Sequence, residues 1–161
     1  MKRINLTIFI LFLTVISCSG QSTKIDTFSG EIKVNNQISF EATKQSVKSE
    51  FGQPNDITTE YWEIGQETAT AFHYSNGATL KFGDQGLESF KLTSSNYYIK
   101  MGSFELRVGK SISSIQNVFP KSYNYRNSGT TSIALGTGDY RFLLIEYNST
   151  GKITSIDVRT F

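Results

Sequence analysis

Few side chains in this sequence are equipped for chemistry, and their spacing decides what that chemistry could be. The 161 residues hold one cysteine, Cys18, and one histidine, His73, so the chain supplies neither a disulfide nor a histidine–thiolate metal site. His73 sits between Phe72 and Tyr74 in a stretch that alternates like a strand, opposite in phase to both rings and therefore outward. A catalytic base needs a partner within hydrogen-bond reach, and no second histidine offers one. Glu60, Glu63 and Glu67 flank Tyr61-Trp62 and could pair as acid and base, but nothing in their spacing sets a separation, and a solvated loop accounts for them. Serines are frequent, yet no G-x-S-x-G nucleophile elbow occurs. Gly136-Thr137-Gly138 is a bare G-x-G in a hairpin pattern, with no helix following to cradle a phosphate. Asn148-Ser149-Thr150 is a glycosylation triplet that reads as a turn. The inventory is that of a non-catalytic protein with no cofactor and no metal, which leaves the surface to carry function.

Cys18 takes its meaning from what precedes it. Lys2 and Arg3 give a positive start, and Ile4–Ile16 is an apolar run broken only by Asn5, Thr7 and Thr14. The run is shorter than the roughly 20 residues of a spanning helix, so Met1–Ser17 reads as a secretory signal. It closes in Val15-Ile16-Ser17-Cys18, which resembles the lipobox of bacterial lipoproteins. That resemblance implies diacylglyceryl transfer to Cys18, cleavage before it, and attachment to a membrane through the lipid. Ser19 follows where an Asp would hold such a protein back, which implies passage to the outer membrane if the cell has one. The expected location is the cell envelope, with residues 18–27 as a lipidated, polar tether.

Composition describes an ordered body. Aromatic residues make up 13% of the chain and proline occurs twice, the opposite of the polar, charge-rich signature of disorder. Without Lys2 and Arg3 the formal charge falls from +2 to neutrality. Residues 19–92 carry 6 basic and 10 acidic side chains, and residues 93–161 carry 8 and 4. Opposed halves of this kind attract each other or a polarised partner, or are a chance scatter of solvated charges. Neither half is basic enough for nucleic acid.

The elements that must position any site come twice. Ile38–Pro54 (ISFEATKQSVKSEFGQP) aligns without a gap on Leu106–Ser122 (LRVGKSISSIQNVFPKS), placing Ile38 on Leu106, Val47 on Ile115 and Phe51 on Phe119. Each copy predicts a short strand and then an amphipathic helix, capped by Thr43 in the first and Ser111 in the second. Gly52 and Pro54 end the first helix and Pro120 the second. A hairpin is expected over Ile32–Phe40, followed by strands at Tyr61–Ile64, Thr70–Tyr74, Thr79–Phe82 and Glu88–Leu92. The second copy repeats the theme with Tyr97–Met101, Phe104–Val108, Thr131–Leu135, Tyr140–Tyr147 and Ile153–Arg159. Turns such as Asn76-Gly77 make the sheets antiparallel meanders. Leu80, Phe82, Phe90 and Leu92, with Ile145, Tyr147, Ile156 and Val158, are then expected to face the helices. The fold class this implies is α+β, two tandem helix-plus-antiparallel-sheet repeats at residues 28–95 and 96–161.

Val108-Gly109-Lys110-Ser111, followed by Ile115 and Phe119-Pro120, resembles the opening of the small SmpA/OmlA-type outer-membrane assembly lipoproteins. The first copy keeps the later part of that pattern in Phe51-Gly52-Gln53-Pro54, with Glu41 in place of the turn glycine. The tandem duplication resembles the β-lactamase-inhibitor protein. These resemblances imply a helix-plus-sheet fold and a role in binding another protein, in envelope assembly or as an inhibitor of a secreted enzyme. A small-ligand binder in the groove between repeats is a further alternative, for which Tyr97, Tyr98, Tyr123 and Tyr125 are the hint.

One strand breaks the alternation expected of a sheet with a wet face. Tyr140–Tyr147 is apolar in both phases. If Ile145 and Tyr147 face inward, Phe142 and Leu144 lie on the outer face, ringed by His73, Lys81, Lys91, Asp157 and Arg159. Aromatic and apolar groups ringed by charge are what a protein-binding patch presents. Either a partner covers this strip or another part of the chain does.

Overall fold

Alternation along the strands builds an apolar face that no helix among the described residues is long enough to cover. The computed structural model describes residues 24–62, 67–136 and 141–160. Met1–Ser17, Cys18, Glu63, Thr137-Gly138 and Tyr140 lie outside the described residues, as does the side chain of Glu67.

In chain order the elements are β1 (Thr27–Phe28), β2 (Ile32–Val34), β3 (Ile38–Ser39), α1 (Lys44–Phe51), β4 (Asp56–Trp62), β5 (Glu67–Tyr74), β6 (Ala78–Gly83) and β7 (Gly86–Leu92). There follow β8 (Tyr98–Met101), β9 (Phe104–Arg107), a 3-10 turn (Ile112–Ile115), α2 (Pro120–Asn124), β10 (Thr130–Leu135), β11 (Arg141–Tyr147) and β12 (Ile153–Thr160). The strands form two sheets, one of eight strands in the order β1-β10-β11-β12-β7-β6-β5-β4 and one of four in the order β3-β2-β8-β9.

This corrects the expected α+β class. The protein is mostly β, and its halves are not two separate helix-plus-sheet units. The meanders β4–β7 and β10–β12 fuse where β12 pairs antiparallel with β7, and the hairpins β2–β3 and β8–β9 fuse where β2 pairs with β8. The reason is one of area. The eight residues of α1 span about 12 Å, whereas eight strands at about 4.8 Å spacing extend about 34 Å. The large sheet's apolar rung Ile133–Leu143–Val158–Phe90–Leu80–Phe72 therefore needs a second sheet over it. The small sheet supplies Ile32, Val34, Ile38, Ile99, Met101 and Leu106 to the same core, and the helical segments add Val47, Ile112, Ile115 and Phe119. Of the eight side chains expected to face the helices, seven are buried and Tyr147 is half-buried, in a core shared by both sheets.

Local chemistry explains the helices. Thr43 caps α1, its hydroxyl accepting from the Ser46 amide at 3.1 Å. Gly52 closes the helix at φ 81°, and its amide donates to the Lys48 carbonyl. The helix expected from Ser111 to Pro120 does not form. Ser111 caps only a 3-10 turn, because Ser113, Ser114 and Asn117 are weak helix formers. Pro120 starts α2 instead of ending a helix, at a first-turn position where its missing N–H costs nothing.

The aligned stretches share a backbone linkage. Glu41 donates to the Leu87 carbonyl at 3.0 Å and Leu87 to the Ala42 carbonyl at 2.9 Å. Gly109 and Ile153 repeat this, with Gly109 to Ile153 at 2.8 Å and Ile153 to Lys110 at 2.9 Å. Both Glu41 (φ 68°) and Gly109 (φ 88°) are left-handed, so Glu41 takes the strained conformation where the other copy has glycine. A Cβ on Gly86 would meet the Glu41 carbonyl oxygen at 2.5 Å, so only glycine allows this approach.

The end of the expected tether is built into the fold. β1 runs parallel to β10, and Asp26 and Ser122 exchange hydrogen bonds, Asp26 N to Ser122 Oγ and Ser122 N to Asp26 Oδ2, each 2.9 Å. Phe28 and Phe104 both meet the Phe119 ring edge to face, at 6.3 and 5.8 Å between centroids.

Candidate functional site

Strand register carries the candidate residues to one face. The period of two that sends Leu143 and Ile145 into the core sends Phe142 and Leu144 to the opposite side of the large sheet, where both are half-buried. Pairing aligns an outer rung of Ser132, Leu144, Asp157, Lys91, Thr79 and His73 across six strands. Phe142 stands on the next rung, between Ala134 and Arg159.

The structure brings some of the predicted residues together and leaves others apart. Phe142, Leu144 and Arg159 line a shallow depression of about 270 Å³ with Ser132. Asp157 lies beside them, largely buried, and accepts from Arg159 Nε at 2.7 Å, which fixes the guanidinium at the rim. Lys91 faces Asp157 on the neighbouring strand. His73 is four strand spacings from Leu144, about 19 Å. There it meets the Thr58 hydroxyl at 2.8 Å and the Thr79 hydroxyl at 3.4 Å. Lys81 is likewise remote and binds Glu60 at 2.6 Å. That contact, reinforced by the Trp62 indole N–H at 2.7 Å, holds the Glu60 carboxyl below its ordinary value. The patch is therefore an apolar floor with one fixed ion pair at its edge, and of the five residues expected to ring it His73 and Lys81 stand apart.

A second depression, about 480 Å³, continues from the first through the shared Ser132 and Leu144. Lys24, Ile25, Tyr125 and Thr130 extend it, and Tyr125 is 60% exposed with Lys24 Nζ 5.9 Å from its ring centre. Of these, sequence reasoning named Tyr125 for a groove between repeats and missed Lys24, Ile25, Thr130 and Ser132. Ser132 was within reach, because the register of β10 on β11 puts it beside Leu144. Lys24 and Ile25 were not, since contacts about a hundred residues apart, the Asp26–Ser122 exchange and the pairing of β1 with β10, bring them there.

The four tyrosines proposed for a groove have separate neighbours. Tyr97 is buried on Phe51, 5.4 Å between centroids, and its hydroxyl donates to Asn76 at 2.6 Å. Arg107 lies over Tyr98 at 4.5 Å and Arg126 over Tyr123 at 3.9 Å. Among the described residues no group of three or more His, Cys, Asp or Glu converges, and no helix is long and apolar enough to cross a membrane. Asn148 forms an Asx turn, its side-chain oxygen accepting from the Thr150 and Lys152 amides.

The sequence matches no family model. It also matches no curated protein. Among solved structures it is similar to an extracellular protein containing a SCP domain from Bacillus anthracis, with a TM-score of 0.37 and 9% identity, over 78% of this chain. This chain spans 45% of the length of that one.

Proposed function

We propose that this protein is a non-catalytic lipoprotein of the cell envelope that binds another protein through the outer face of its large sheet. One observation supports the reading. β11 carries apolar side chains in both phases, and while Leu143 and Ile145 of its inner phase are fully buried, Phe142 and Leu144 remain half-buried on a shallow depression edged by Arg159. Apolar anchors with a charged edge are the composition of a docking surface, where a few central side chains carry most of the affinity. The lipid on Cys18 would hold that face at the membrane where an envelope partner is met.

Capture from detergent-solubilised membranes tests this with wild type and a Phe142→Ser/Leu144→Ser variant. A stoichiometric protein partner kept by the wild type and lost by the folded variant is expected. A folded variant that retains every partner removes the face from function.

A further inference from the structure

Four strands end the two sheets, and three are short. β1 and β3 have two residues each and β9 has four, whereas β4 has seven. Among the described residues β4 is bonded to β5 on one side only, and it lacks lysine and proline, two of the devices by which edge strands avoid pairing. Ile57, 50% exposed, and Tyr61, 64% exposed, stand on it in the phase of the inner rung, with Ile57 opposite the buried Phe72. The apolar rung thus runs out into solvent at this edge.

We propose that β4 pairs antiparallel with β4 of a second copy of this chain, about a two-fold axis through Thr59, joining the two large sheets edge to edge. Among the registers that pair at least five residues of the strand, its sequence selects that one. A two-fold axis normal to the sheet keeps both inner faces on one side, so facing residues share a phase and the axis passes through a residue. An axis through Thr58 sets Asp56 against the partner's Glu60 twice. An axis through Glu60 sets that carboxylate against itself. Like charges directly opposed destabilise a strand pair. An axis through Thr59 sets Ile57 against the partner's Tyr61, Thr58 against the partner's Glu60 and Asp56 against the partner's Trp62. No like charges meet, and the exposed apolar side chains cover each other in β-branched–aromatic pairs. Lys81 already neutralises Glu60 at 2.6 Å, which lowers the barrier to a second strand. One strand pair is a small interface, of the class below about 1,200 Å², so the association is weak and of micromolar order.

Sedimentation equilibrium of the full-length chain in density-matched detergent tests the pairing. The wild type should reach a dimer. Thr59→Lys, at an exposed position, opposes two ammonium groups on the axis and should weaken the dimer about tenfold or more. Thr58→Lys faces the partner's Glu60 twice and should tighten it a few-fold. A wild type that stays monomeric to about 100 μM overturns the proposal and leaves the edge to a strand of a different protein. A Thr59→Lys variant with the wild-type mass overturns it as well. A Thr58→Lys variant that dissociates moves the axis off Thr59 and refutes this register.

Discussion

Adjacent leucines on β11 offer the cleanest measure of whether the outer face is open. Leu143 is fully buried at 0% exposure, and Leu144, one residue on, is half-buried on the other side of the sheet. Truncating each to Ala removes the same atoms. For Leu143 the cost is the lost transfer energy plus a cavity among Ile133, Val158 and their neighbours, about 3–5 kcal/mol. For Leu144 no closed cavity forms, and about half of a leucine's burial energy is at stake, about 1 kcal/mol. With a urea m-value of about 2 kcal/mol/M, the midpoint should fall by about 1.5–2.5 M for Leu143→Ala and about 0.5 M for Leu144→Ala. Equal shifts would refute the reasoning. They would mean that Leu144 is covered in the folded chain and that no partner can dock there.

Other outcomes follow from the same geometry. Cys18→Ala should release the protein from the membrane fraction or stall its processing, and a variant that fractionates and migrates like wild type sinks the lipoprotein reading. Phe119→Ala should cost about 3–5 kcal/mol, because Phe119 is 4% exposed and meets two rings. Phe51→Ala should cost less, since Phe51 is only partly buried. If the two costs come out reversed in equilibrium unfolding, the burial argument is wrong. Burial raises the Tyr97 hydroxyl above its ordinary 10.0, against the pull of its bond to Asn76, and burial raises Tyr74 as well. The fold therefore keeps protons that the unfolded chain releases, so stability is intact below pH 10.0 and declines above it. Tyr97→Phe should flatten that decline, and a parallel loss in variant and wild type would count against it.

Short-range chemistry was legible in the residues themselves. Hairpins at Asn35-Asn36 and Asn76-Gly77, the Thr43 cap and the Gly52 stop depend on a few neighbouring residues, and each forms where the pattern places it. The outward phase of Phe142 and Leu144 was legible too, since a period of two has no third option. What the sequence left open is which edges meet. A meander closes its own hairpins and leaves one strand at each end with unpaired amides and carbonyls, and nothing local says what satisfies them. The tertiary structure answers with β7 on β12 and β2 on β8, pairing residues more than sixty positions apart, and with β1 laid parallel on β10. That choice turned two expected repeats into shared sheets. It also placed Lys24 and Ile25 beside Leu144, which no spacing along the chain encodes. Pairing within a hairpin is decided by the turn that joins its strands, but pairing between edges is decided by the apolar area that both sheets together must bury.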